Sequence, residues 1–210
     1  MVSWEYSMKI ENVRIYGLPE SLIASGYPML STELNEEEFL KEVEATEKII
    51  KNKSGSNKHI ERGIRLGNSP LGSGHNCALK GITVQFDLTL PQYTWQQLQR
   101  YHYIDFISSM SKMHRITMLD LDKHCPLVDN ELLKISQRYV NAYKKGEIGI
   151  DACLSNIPMG LQMTARMTTN YLQLLSIYHQ RNTHRSDEWK EFCSWVKTLP
   201  MFKELCLKGE

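Results

Sequence analysis

The side chains best suited to hold a phosphorylated small molecule fall between Gly72 and Lys112. A Gly-Ser-Gly-His run ends at His75, a strand pattern covers Ile82–Leu88, Pro91 breaks it, and a helical pattern begins near Tyr93. Along that helix Arg100, His102, Asp105 and Ser109 offer a guanidinium, an imidazole, a carboxylate and a hydroxyl. Such groups pair with phosphate, ribose or a base edge. The stretch from Gly67 to Gly74 is rich in Gly, Ser, Asn and Pro, which can aim several backbone N–H groups at one point, as phosphate-binding loops do. Its spacing matches neither a Walker loop nor a dinucleotide fingerprint, and a plain surface loop has the same composition.

At about 100° per residue the helix after Pro91 has two faces. Trp95, Tyr103, Phe106, Ile107 and Met110 face the core, with His102, Asp105, Ser109 and Lys112 opposite. His102 and Asp105, three apart, would reach each other. A ligand-binding stripe and a solvated stripe share this periodicity.

The elements that must position these groups follow from pattern. Met8 to Tyr16 alternates as a strand, with Ile10, Val13 and Ile15 apolar, and Gly17-Leu18-Pro19 stops it. Ser21 to Leu30 is mixed, with a turn at Ser25–Pro28. Asn35 ahead of three glutamates predicts a capped amphipathic helix ending near Lys51, with Glu38 closing a capping box. A flexible connection spans Lys51 to Lys58, and the basic pair Arg62 and Arg65 follows. Ile82, Val84, Phe86 and Leu88 alternate with polar residues, giving a strand with one buried face. Asp122 to Pro126 reads as a loop, Val128 to Lys145 as a helix with Leu132, Leu133, Ser136, Tyr139, Val140 and Tyr143 inward, and Gly146 to Pro158 as another loop. Leu161 to Met167 alternates as a strand with Arg166 on its polar face; Thr168 to Arg181 returns to helical spacing, and a last helix capped by Ser186 runs to Pro200. Strands and helices do not alternate regularly, so the fold class is α+β, a mixed or antiparallel sheet with packed helices, in one domain spanning 1–210.

Composition narrows the partners. Lys plus Arg number 25 against 24 Asp plus Glu, so no overall field draws the chain to a nucleic-acid polymer or an anionic membrane. Five dispersed cysteines without a C-x-x-C pair indicate a reduced, cytoplasmic chain with no disulfide framework. His124-Cys125 is an isolated soft pair, so no metal site is expected. No apolar run approaches the ~20 residues of a membrane span, and Met1–Met8 lacks the features of a signal peptide.

Two stretches resemble the flavin-dependent thymidylate synthases. That family carries an H-x-S-x-x-E-H element before an F-T-F-type strand, then Q-x-x-R-H-R-x-x-S-x-N-E-x-S-x-R. Here His75 precedes Thr83-Val84-Gln85-Phe86, and Gln97-Leu98-Gln99-Arg100-Tyr101-His102 follows. The family's late T-x-N-x-x-S-L segment, a helix ending in L-R and an A-Q-x-E-I-R run are similar to Thr168–Leu174, Arg181 and Asp187–Phe192. About half the chain is covered. The departures fall on the chemistry: Lys80-Gly81 replaces the E-H pair, Tyr101 and His102 follow Arg100, and Ile107-Ser108 replaces N-E. Met110 and Lys112 stand where the family has its active-site serine and the next arginine, and Phe192 stands for the last arginine of A-Q-x-E-I-R.

What the resemblance implies is a thymidylate-synthase-complementing-like fold and a homo-oligomer, a tetramer, with ligand sites between subunits. With the flavin contacts largely substituted, no cofactor is expected. The leading expectation is a non-catalytic protein binding a nucleotide or another phosphate-bearing molecule. Arg100, Arg166 and Arg181 would pair with phosphate, His75, His102, Asp105, Ser109 and Asn170 would supply further polar contacts, and Tyr101 would stack on a base. The resemblance extends to divergent proteins of bacteriophages, where such a chain would sequester a signalling nucleotide in the host cytoplasm. The rival is an active FAD-dependent transferase moving a one-carbon unit to C5 of a pyrimidine nucleotide, with His102, Asp105 and Ser109 replacing lost groups. A structural or interaction protein without a ligand is a third reading.

Overall fold

The computed structural model describes residues 8–70 and 72–208. The amino-terminal residues 1–7, read above for a leader, and position 71 of the glycine-rich loop lie outside the described residues. The first strand, β1, spans Lys9–Tyr16, and Gly17, at φ 72°, turns the chain into α1 (Leu18–Ala24). A side chain at Gly17 would meet the Gly81 carbonyl oxygen at 2.5 Å, so both the backbone angle and the space require glycine. A 3-10 turn at Tyr27–Met29 leads to α2 (Glu36–Asn52), whose capping box pairs Asn35 with Glu38 in both directions as the sequence predicts. Next comes α3 (Lys58–Gly67), capped by the Asn57 side chain, which accepts from the His59 and Ile60 amides.

A 3-10 turn at Cys77–Gly81 precedes β2 (Thr83–Pro91), α4 (Gln92–Leu98) and β3 (Asp105–Ser109). Two short helices, α5 (Lys112–Arg115) and α6 (Leu121–His124), lead to α7 (Asn130–Lys144), which starts from an Asp129 cap, and to α8 (Ile150–Leu154). Strand β4 (Gln162–Asn170) is followed by α9 (Tyr171–Arg181), α10 (Asp187–Val196) and α11 (Phe202–Cys206). The strands form one sheet in the order β1-β2-β4-β3, with β3 antiparallel to β4 at one edge. This is the α+β architecture expected from the sequence.

The chain divides into two compact units, Met1–Val13 with Phe86–Thr168 and Arg14–Gln85 with Thr169–Glu210. In the first unit the alternate residues Phe86 and Leu88 of β2 and Ala165 and Met167 of β4 are buried with Trp95 and Leu161. Leu133, Ser136 and Val140 of α7 also point inward, and Ser136 Oγ donates to the Asn156 carbonyl at 2.7 Å. Leu132, expected inside, is exposed. In the second unit Tyr171 lies edge-on to Phe202 at 5.1 Å and donates its hydroxyl to the Pro200 carbonyl at 2.7 Å. Leu22, Ile60, Leu174 and Trp189 are buried in the same unit.

All five cysteines are free. Cys125, Cys153, Cys193 and Cys206 are buried, and burial raises each of their thiol pKa values, to about 11 for Cys125 and for Cys193. Cys77 is exposed. Among the described residues no helix is long and apolar enough to cross a membrane, and no three His, Cys, Asp or Glu side chains are grouped to hold a metal ion.

The helix predicted from Tyr93 through Lys112 does not exist as one element. It stops at Leu98, and residues 105–109 form the edge strand β3. Aromatic, β-branched and serine residues make that segment a poor helix and a good strand, and the unpaired side of β4 gives it a ladder. The contact between Trp95 and Phe106, ring centroids 5.1 Å apart, decides the geometry. On a continuous helix these residues would be separated by about 16 Å along the axis. The helical proximity expected for His102 and Asp105 goes with it. Elsewhere, α1, α3, α6, α8 and α11 occupy stretches read as irregular or left unassigned, and β4 runs on to Asn170, where the helix had been predicted to begin at Thr168.

Candidate functional site

In the first unit a cleft of about 510 Å3 opens between α4, β3 and β4. Trp95 anchors it: the indole N–H donates to the Met163 carbonyl at 3.1 Å inside the core, which fixes the ring plane. Phe106 packs on Trp95 with its ring tilted by 42° and remains 46% exposed. A β-bulge at Ile107 sets what joins it. Phe106 pairs with Met167 but Ser108 pairs with Arg166, so Ile107 has no partner and the alternation changes phase. Ser109, opposite Ala165, therefore lies on the same side as Phe106, and both line the cleft.

The polar groups of the cleft come from one helical face and one cation. Gln92, Gln96 and Gln99, at i, i+4 and i+7, line it from α4 and the turn after it. Lys112, at the start of α5, sits beside them with Nζ 3.4 Å from Gln92 Oε1. An exposed aromatic face, amides that both donate and accept, a hydroxyl and an ammonium suit a flat polar heterocycle bearing an anionic group. Among the described residues no histidine or carboxylate lines the cleft.

The second unit has a different arrangement. Gly72 and Gly74 hold φ values of 87° and 77°, and among the described residues a Cβ at either would meet nothing within 4 Å. The loop is thus open on the side its glycines face. At its foot Asn76 is 3% exposed, and its Nδ2 donor has no hydrogen-bond partner among the described residues. A buried donor left unpaired costs about 1–3 kcal/mol. The adjoining cleft, about 420 Å3, is lined by Ser21, Ser25, Gly74, His75 and Cys77. The open main chain at Gly74 suits a phosphate or carbonyl acceptor such as the diphosphate of flavin adenine dinucleotide, while the Asn76 amide is sealed beneath the loop and does not line this cleft.

The residues singled out from sequence are distributed between these two units. His75 is exposed beside the glycine loop. Arg100 and His102 are exposed in the turn between α4 and β3, and the Tyr101 ring lies 6.5 Å from that of Tyr103. Asp105 opens β3 opposite Thr168 and is exposed; Ser109 closes the strand in the cleft. Arg166 is engaged on the sheet, where NH1 donates to Asp87 Oδ1 at 3.1 Å and to the Asn12 carbonyl at 2.8 Å. Asn12 and then Arg166 hold the Asp87 carboxyl below its usual pKa.

In the second unit Asn170 caps α9, accepting from the Gln173 amide at 3.0 Å. Arg181 is 8% exposed and lies 4.6 Å over the Trp189 ring. Of the first-unit candidates only Ser109 lines the cleft. The helical spacing puts Phe106 in the core and Lys112 on the polar face, and it gives no weight to the glutamines or Asn76. The i, i+4, i+7 glutamine spacing was a readable signal; the bulge and the buried amide were not.

No sequence-family profile and no curated protein sequence matches the chain. Solved structures do match it. Thymidylate synthase X (ThyX) from Helicobacter pylori, with FAD and dUMP, aligns over 96% of this chain and 98% of that one at TM-score 0.69 and 15% identity. A second H. pylori ThyX structure, complexed with FAD and dUMP, gives 0.70 and 15% over 95% of this chain and 98% of that one. This chain has the ThyX fold. A UMP/dUMP methylase, PolB from Streptomyces cacaoi, bound with 5-Br dUMP, aligns at 0.61 and 14% identity over 94% of each chain. The two FAD-bound ThyX structures overturn the expectation of a chain without a cofactor.

Proposed function

We propose that the chain is a flavin-dependent enzyme of pyrimidine nucleotides, transferring a one-carbon unit to C5 of the base. The observation that carries this reading is the cleft between α4 and β3, on a fold whose solved examples hold dUMP or 5-Br dUMP. The base would stack on Phe106, with Gln96 and Gln99 reading its edge and Lys112 taking the phosphate. Lys112 stands at the position where the family resemblance has an arginine, so the charge is kept while the two-pronged grip of a guanidinium is lost. The flavin would be held by the main chain at Gly72 and Gly74, and when bound it supplies hydride. Exposed Phe106 and Ile107 on the edge strand, with Tyr103 in the turn before it, support an assembled, oligomeric form.

A second reading rests on the cleft lining, which among the described residues holds no histidine or carboxylate to act as general acid or base at the base-binding position. On this reading the nucleotide is held without turnover, as in a phage decoy that sequesters a signalling nucleotide. Native mass spectrometry with an absorption spectrum of freshly purified protein, followed by incubation with dUMP, reduced flavin and a folate one-carbon donor, separates the two. A flavin mass with a band near ~450 nm and a methylated or hydroxymethylated product supports the enzyme. Recovery of unchanged nucleotide from a tight complex supports the sequestering protein, and a sample that binds neither flavin nor dUMP sinks both.

A further inference from the structure

We infer that His59 is an acid-sensitive latch, whose neutral imidazole holds Arg62 against the end of α1 and whose protonation releases it. His59 is 5% exposed in the second unit, between two groups that leave it one tautomer. Arg62 NH2 lies 3.0 Å from Nδ1, and a guanidinium can only donate, so Nδ1 must present its lone pair. The ring proton is then on Nε2, 3.1 Å from Glu42 Oε2 of α2. Glu42 also accepts from Lys58 Nζ at 2.9 Å.

The far side of Arg62 does the structural work. Its Nε donates to Ser25 Oγ at 3.0 Å, and NH2 reaches the Leu22 and Ile23 carbonyls at 3.3 and 3.2 Å. These are carbonyls of the last turn of α1; the Leu22 carbonyl also accepts from Ser25 Oγ at 2.7 Å and the Ile23 carbonyl from the Gly26 N–H at 3.0 Å, so Arg62 adds a second donor to each. The guanidinium also fills the space over Gly26, where a Cβ would meet the Arg62 Cζ at 2.4 Å. Ala24, Ser25 and Pro28 of the same segment line the cleft beside Gly74 and His75, so the latch supports one wall of it.

A proton on Nδ1 would set two donors against each other and place a second cation beside Arg62. The charged groups acting on His59 are Glu42 from α2 and Lys58 and Arg62 from its own helix, while α1 presents carbonyls and a hydroxyl. Arg65 lies beyond, acting on Arg62. Burial outweighs Glu42 and lowers the imidazole pKa. The sign follows: an unfolded histidine takes its proton near pH ~6.5, above the folded value, so stability is lost as pH falls below that point and is unaffected above it. Glu42, whose pKa is lowered with Lys58 as the first cause, stays ionised through that window.

The test is amide hydrogen exchange of the ligand-free protein at about pH 7.5 and about pH 5, corrected for intrinsic rates, in wild type and His59→Gln. Glutamine can offer an oxygen to Arg62 and an N–H to Glu42 without titrating. Protection over residues 23–30 should fall about tenfold or more in acid for wild type and stay constant in the variant. Equal protection at both pH values in wild type, or equal loss in both proteins, overturns the latch. Nitrogen-15 shifts of wild-type His59 give an arm independent of the variant's folding. Nε2–H at neutral pH agrees with the latch; a proton on Nδ1 overturns it. Neither readout depends on flavin or nucleotide.

Discussion

On the proposed function, the cleft beside Phe106 and the loop around Gly72 and Gly74 would recognise ligands by opposite means. The first is built from side chains: a tilted aromatic pair, glutamine amides and one lysine, brought to a common side by a single bulged residue. The second is built from main chain, with two left-handed glycines. Side-chain sites change by substitution, so chemistry can drift while the fold stays. Main-chain sites depend on conformation and tolerate drift in the residues around them. Where the sequence departs from the motif it resembles, Met110 and Lys112 are side-chain positions that line the first cleft.

Four substitutions bear on this contrast. Lys112→Met should weaken dUMP binding by about 1.5–3 kcal/mol, the range for a hydrogen bond to a charged group, by calorimetry. Unchanged affinity would move the phosphate away from this cleft. Gly74→Ala meets open space but must hold φ 77°, which costs about 1–2 kcal/mol; FAD binding should weaken by that amount while dUMP binding stays as it was. If both ligands respond equally, the two regions do not act separately. Phe106→Ala should cost dUMP about 0.5–1.5 kcal/mol of stacking, with the loss largest for the intact base and absent for ribose phosphate. Arg166→Ala should change dUMP affinity by no more than about 0.5 kcal/mol, because its guanidinium is already committed to Asp87 and Asn12. In an acid titration the same variant should lose less stability in total, and its loss should be complete at a higher pH than in wild type. Asp87 contributes stability above the ordinary carboxylate range that disappears as pH falls through its folded pKa, and Arg166 is one of the groups lowering that pKa.

Sequence pattern was sufficient wherever a residue's role was local. The Asn35 and Glu38 box, the alternation of Val84, Phe86 and Leu88, and the helical run from Val128 to Lys145 all depend on neighbours a few positions away. The segment after Leu98 depends on the free edge of β4, more than fifty residues later, which no local period records. The helix α3 was hidden by its two glycines and a Ser-Gly approach, though Asn57 marked its start. Those glycines serve packing: a side chain at Gly67 would meet the Leu205 carbonyl oxygen at 2.3 Å. At the site, charged residues drew notice by type, whereas Arg166 and Arg181 are held in an ion pair and on an indole face. The amides that line the cleft are common surface residues and drew none.

The uneven exposure of the five thiols makes the protein convenient for optical work. With the other four sealed in the interior, a maleimide dye applied to the native chain should couple at Cys77 alone. That fluorophore would stand next to Asn76 and the open glycine loop, so its anisotropy and quenching would follow occupancy of the loop in real time. A donor there and a fluorescent nucleotide analogue would also serve as a molecular ruler between the two recognition regions.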